Sequence, residues 1–161
     1  MYPAYEIVQR FYDWYFQRDN IAYWMGAKGE VLTNQRMKDL VSWNPDYFKK
    51  YTPEQLDRLM KWSEGKIGFD CSGLVSKCVG VQGWSSWTLW EHCNIKTGIK
   101  ECKAGSLLWK PGHIGIDLGF GAAGHIGVEG ETIRIDDNGK PGLFQYGGQW
   151  ENAAYTMMFN Y

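Results

Sequence analysis

The chain has 161 residues, a formal net charge of −1, 22% charged residues and 16% aromatic residues. That length suits one domain, residues 1–161, with a substantial core. With no run of five or more like charges, a nucleic-acid partner held by a basic surface is not expected. No apolar run approaches the roughly 18 residues of a membrane span, so no membrane partner is expected either. Met1-Tyr2-Pro3-Ala4-Tyr5-Glu6 carries neither the basic nor the apolar region of a secretory signal, so classical secretion is not expected. Nine Trp, ten Tyr and seven Phe fit extra core packing, with some rings left to line a cleft.

Tyr5, Val8, Tyr12 and Tyr15 recur at helical spacing and predict an amphipathic helix over residues 3–18. Residues 21–30 read as a loop, with Gly26 and Gly29 following Tyr23 and Trp24. Thr33 can cap a short helix to Ser42, with Met37, Leu40 and Val41 facing inward. Thr52-Pro53-Glu54-Gln55 is a capping box with Pro at the first helical position. Leu56, Leu59 and Met60 give that helix its apolar face, and Gly65 ends it. Residues 71–80 again carry apolar side chains at helical spacing: Leu74, Val75, Cys78 and Val79.

From Ser106 the pattern changes. Ser106 to Trp109, His113 to Leu118, Ile126 to Ile135 and Tyr155 to Tyr161 alternate or run apolar, and Asp137-Asn138-Gly139 is a turn signal. A helical first half and a strand-rich second half, with no linker or repeat between them, predict a single α+β domain. The four Cys (71, 78, 93 and 102) form no CxxC pair, and His92-Cys93 with Cys102 matches no ligand spacing, so neither a metal nor a cofactor is expected. Cys78 reads as a small buried hydrophobe, and a Cys93–Cys102 bridge remains open.

Asp70-Cys71-Ser72-Gly73-Leu74-Val75 puts a thiol where a helix begins, and Gly112-His113-Ile114-Gly115-Ile116 puts an imidazole where a strand begins, 42 positions later (113 − 71). A helix N-terminus favours the thiolate, and its N–H groups can hold the oxyanion of acyl transfer. His113 follows the turn Lys110-Pro111-Gly112 and is placed as general base to Cys71, then acid to the leaving amine. The base needs a third group to orient it. His125, twelve residues on (125 − 113), and Glu129 are the two candidates, and the shorter turn favours His125.

Three segments together resemble the NlpC-type papain-like cell-wall peptidases: Phe69-Asp70-Cys71-Ser72-Gly73-Leu74-Val75, then Lys103-Ala104-Gly105-Ser106-Leu107-Leu108-Trp109, then Gly112-His113-Ile114-Gly115-Ile116-Asp117-Leu118-Gly119. Tyr23-Trp24-Met25-Gly26-Ala27-Lys28-Gly29 is similar to the aromatic and glycine loop beside that family's cleft. The resemblance runs from about residue 21 to the C-terminus. It implies a papain-like fold, with the helix that carries the Cys packed on an antiparallel sheet that carries the His.

It also implies hydrolysis of peptide stems in bacterial peptidoglycan. The chain itself is expected to be a monomer. The nucleophile then falls on Cys71, the base on His113 and the third polar residue on His125. Tyr23 falls where a tyrosine reaches into the cleft, and Asp70 and Ser72 fall where some members bind a free stem amine. Ala122-Ala123-Gly124 is less apolar than that family's return strand, which keeps Glu129 as the alternative. The long helical stretch from Lys28 to Gly68 resembles phage or prophage lysins, which reach the wall through a membrane lesion or ride on a virion.

Two other readings compete: a non-catalytic glycan-binding module using Trp84, Trp87, Trp90 and Trp150, and a toxin-like amidase or acyltransferase acting outside the wall.

Overall fold

Thr33, Thr52, Asp70 and Ser85 each cap the start of a helix. The computed structural model describes residues 2–119, 127–129, 134–135, 141–142, 145–146, 150–156 and 159–160. Strand β1 (Tyr2–Pro3) leads into helix α1 (Tyr5–Tyr15), and β2 (Ile21–Tyr23) and β3 (Lys28–Val31) flank a tight turn. Helices α2 (Asn34–Trp43), α3 (Pro45–Phe48) and α4 (Pro53–Ser63) follow. The Thr33 hydroxyl accepts from the Arg36 amide, and Thr52 with Gln55 forms the expected capping box. Next come β4 (Ile67–Phe69), α5 (Cys71–Val79), α6 (Ser86–Glu91) and β5 (Cys93–Thr97). Strands β6 (Leu107–Lys110), β7 (His113–Asp117), β8 (Gly127–Glu129), β9 (Arg134–Ile135), β10 (Pro141–Gly142), β11 (Gln145–Tyr146), β12 (Asn152–Thr156) and β13 (Phe159–Asn160) complete the chain.

The architecture is α+β. One antiparallel sheet has the order β11-β8-β7-β6-β12-β5, and a small mixed sheet has the order β2-β4-β3. Two further pairs stand apart: β1 with β13 in parallel, and β9 with β10 antiparallel. The first core lies between the large sheet and helices α1, α5 and α6, and contains Ile7, Phe11, Cys71, Leu74, Cys78, Leu107, Ile114 and Ile116. A second core joins α2, α3 and α4 to the β2–β3 turn through Trp24, Ala27, Leu32, Met37, Leu40, Phe48 and Leu59.

Helix α5 lies where the cores meet. Every residue from Cys71 to Val79 except Lys77 is buried, as expected of a helix enclosed on all sides. Gly80, at φ +88°, ends it with its amide on the Ser76 carbonyl, a left-handed cap that glycine adopts at little cost.

Three contacts set the directions of α1, α5 and β7. The Ala4 carbonyl lies against Gly105, whose amide bonds the carbonyl of Asp117 at the end of β7. Arg10 then bonds the Cys78 carbonyl near the end of α5, and Trp14 packs edge-on against Phe69 just before α5 begins. α1 therefore runs opposite to both α5 and β7, so Cys71 and His113 head two packed elements from the same side.

Several expectations shift. The opening helix is Tyr5–Tyr15, not residues 3–18, and its most buried side chains are Ile7 and Phe11 while Tyr5 is exposed. The expected loop at residues 21–30 contains two strands, because Ile21–Tyr23 and Lys28–Val31 both pair with Ile67–Phe69. Strand β5 and helix α6 carry no strong periodicity and went unforeseen; β5 is an edge strand held by β12. Asp137-Asn138-Gly139 lies outside the described residues.

Gly73 shows how tightly α5 meets the β2–β3 turn: a Cβ there would sit 2.5 Å from the Ala27 carbonyl oxygen and 3.1 Å from the Lys28 Cα. Backbone cannot yield as a flexible side chain does. Gly73→Ala is expected to lower stability by about 2 kcal/mol or more in urea titration; a loss under ~0.5 kcal/mol would mean that the two segments do not approach this closely.

Candidate active site

Asp70 organises the start of α5. As N-cap residue it accepts the Gly73 amide at 2.6 Å through Oδ1, and its own amide donates to the Ala27 carbonyl at 2.9 Å. Oδ1 also accepts the Ser72 hydroxyl at 3.0 Å, and Oδ2 accepts the Gly26 amide at 3.1 Å. The Lys28 ammonium lies 2.7 Å from both carboxylate oxygens and also donates to Ser72 Oγ. The Asp70 side chain is 6% exposed and that of Lys28 is 28% exposed. Breaking such a largely buried pair costs on the order of 3 kcal/mol, because the carboxylate stays behind without its countercharge.

These bonds consume the Asp70 and Gly73 amides, and Leu74 already donates to the Asp70 carbonyl within the helix. Among the described residues, the amides of Cys71 and Ser72 are the two N–H groups at this terminus that no capping bond takes up. Cys71 itself is 7% exposed and its thiol is free.

His113 opens β7 opposite Lys110 of β6 and is 8% exposed. Its ring stacks on Trp150 at 5.3 Å between centroids and 6° between planes, and the Lys110 ammonium lies 5.5 Å from the same indole. Strand alternation sorts β7 into two rows. Ile114 and Ile116 join the core around α5, while Asp117 binds Cys102 in the group formed by Cys102, Leu108, Ala153 and Trp150. His113 shares the row of Asp117, on the side of the sheet that carries Trp150. The Cys71 helix and the His113 row thus lie on opposite faces of one strand, with their starting ends on the same side.

Of the other expected site residues, Asp70 and Ser72 stand beside Cys71, but their polar atoms already hold the Lys28 ammonium. Tyr23 pairs through its backbone with Phe69, while its ring is buried beside Tyr47 in the second core. His125 lies outside the described residues. Glu129 lies on β8, the strand next to β7. Val128 faces Ile116 there and Gly127 faces Asp117. Lys28 is the member that sequence reasoning missed: 42 positions separate it from Asp70, and no local pattern marks that reach.

The aromatic side chains do not form one platform. Trp90 is buried and stacks on Trp109 at 5.0 Å, Trp84 packs on His92, and Trp150 belongs to the other sheet face. Of these four Trp only Trp87 is largely open, at 55%.

The remaining thiols are built to stay protonated. Burial pushes Cys78 far above the ordinary thiol range and Cys93 up to about 11. Burial and then the hydrogen bond to the Asp117 carboxylate push Cys102 up strongly. All four cysteines are free; Cys93 lies in the core on the α5 side and Cys102 on the opposite face, which leaves no bridge between them. Among the described residues no group of three or more His, Cys, Asp and Glu could hold a metal ion, and no helix is long and apolar enough to cross a membrane. Comparison with protein-family models, with curated proteins and with solved structures gives no match.

Iodoacetamide at pH 8 with peptide mapping is expected to label Cys71 at least tenfold faster than Cys78, Cys93 or Cys102 in the folded protein. Uniform labelling before unfolding would remove the distinction.

Proposed function

We propose that this chain is a papain-like cysteine peptidase or amidase that cleaves amide bonds in peptidoglycan stem peptides. The observation that carries the reading is the thiol at the first residue of a capped helix, packed on the strand that His113 begins, with both starts on one side. The motif resemblance supplies the substrate class. Reaching the wall by release from a producing cell, or as part of a virion, belongs to the same proposal.

In this mechanism the Cys71 thiolate attacks the scissile carbonyl carbon, and His113 holds the thiol's proton. The amides of Cys71 and Ser72, free of capping bonds, face the developing oxyanion. Collapse of the tetrahedral intermediate breaks the C–N bond, and His113 gives the proton to the departing amine. Water, deprotonated by the same imidazole, then hydrolyses the thioester.

Because His113 belongs to the row facing Trp150, this mechanism requires thiol and imidazole to meet past the first residue of β7 rather than across its face. The stacked indole fixes the ring plane at that end. For the third member we favour Glu129, which lies on β8, the strand paired with β7. That is a different choice from the His125 favoured by turn length.

Incubation with peptidoglycan and mass spectrometry of released fragments tests the reading. Wild type is expected to generate new amino termini, and Cys71→Ala and His113→Ala to lose at least ~10³-fold in rate. Equal release by wild type and Cys71→Ala would remove the thiol mechanism, and no release from any wall type would remove the substrate class. Between the orienters, Glu129→Gln is expected to cost more in kcat than His125→Ala; the reverse order would return that role to His125.

A further inference from the structure

Helix α5 is buried along its whole length except at Lys77. A lysine near a helix C-terminus has a structural use, since its charge offsets the helix dipole. The surroundings of this one go further. Lys77 lines an open groove of about 600 Å³ with Lys28, Gly29, Glu30, Arg36 and Gln82, a volume typical of small-molecule sites. Cys71 is not among the lining residues, and six positions (77 − 71) put Lys77 roughly 9 Å further along the helix axis. The groove is a feature separate from the thiol.

Its charges cancel in pairs, with one left over. Lys28 is held by Asp70 at 2.7 Å, and Arg36 by Glu30 at 2.6 Å. Lys77 makes no salt bridge or hydrogen bond among the described residues. One positive charge therefore borders the groove without a counter-ion.

Two details prepare these cations for a ligand. Gly29 has φ +102°, and a Cβ there would lie 2.6 Å from Lys77 Cε and 3.4 Å from its Nζ. The lysine stem thus lies on bare glycine backbone, and a stem already packed has less rotamer freedom to lose on binding. Arg36 supplies the second detail. Its Nε and Nη2 both donate to Glu30 Oε1, and its guanidinium lies 5.1 Å from the Trp43 ring centroid. The other edge of the fork, Nη1 with the second N–H of Nη2, carries no bond among the described residues. Two N–H groups side by side on a planar fork match two oxygens of one anion.

We propose that this groove is a binding site for a singly charged oxyanion, a carboxylate or a phosphodiester, with Lys77 and the open edge of Arg36 as its donors. One uncompensated cation suits one negative charge; a second would face Glu30 without a counter-ion. Val31, on the same wall and 58% exposed, gives apolar contact beside the charge, which suits an anion carried on an organic molecule.

The test is titration of isotope-labelled protein at low ionic strength, read by the backbone amide resonances of Gly29, Gln82 and Gly83. Three probes are used: N-acetyl-alanyl-alanine, its neutral C-terminal carboxamide, and the phosphodiester glycerophosphoglycerol. At least one of the two anions is expected to saturate those shifts, with a Kd roughly tenfold or more below that of the carboxamide, the worth of one charge-assisted hydrogen bond. The tighter of the two identifies the source of the oxyanion. Lys77→Met, which keeps the stem and removes the charge, is expected to weaken anion binding by roughly tenfold, and Lys77→Arg to retain it. Shifts that saturate with neither anion, equal affinity for acid and carboxamide, or anion binding unchanged in Lys77→Met would overturn the proposal. The titration reads no cleavage, so failure of the nucleophile reading leaves its outcome intact.

Discussion

The Asp70 carboxylate is the interaction on which the rest depends. It caps α5, receives the Lys28 ammonium from β3 and takes the Gly26 amide from the turn before it. One buried group thereby joins the small sheet to the helix that carries Cys71. A carboxylate at 4% residue exposure needs hydrogen-bond and charge partners, and two amides, a hydroxyl and an ammonium supply them. Among the described residues the same bonds leave the Cys71 and Ser72 amides without a capping partner.

A second constraint comes from the large sheet. Ile114 and Ile116 seal the α5 side of β7, and alternation sends His113 and Asp117 to the other side. Tight packing of α5 and placement of the imidazole are therefore set by one strand. Trp150 serves this geometry as a wall for the His113 ring, which differs from a ring offered to a sugar. The remaining buried and half-buried tryptophans likewise pack in the two other cores, Trp14, Trp84, Trp90 and Trp109 in the first and Trp24 and Trp62 in the second.

The sequence made much of this legible where the signal is local. The Thr33 and Thr52 caps, the Cys71 helix and the β6 and β7 strands all rest on spacing within a few residues, and all appear near their expected bounds. What stayed hidden is what depends on distant partners. Residues 21–30 look like a loop because each strand is only three or four residues long and acquires its identity from Ile67–Phe69. Lys28 looks like one more solvated lysine until the fold carries it to Asp70. Tyr5 has the right spacing for a core position, but the helix turns its Ile7 and Phe11 inward. The positions of Cys71, Asp70 and Ser72 were readable; what each one touches was not.

The most direct measurement is intact-protein mass spectrometry after rapid acid quench of the protein with stem peptide, followed by peptide mapping. The account predicts a hydroxylamine-sensitive acyl adduct on the peptide containing Cys71, absent in Cys71→Ala and accumulating when His113 is replaced after thiol activation by raised pH. An acyl group on any other residue, or stem-peptide cleavage that proceeds undiminished in Cys71→Ala, would contradict it.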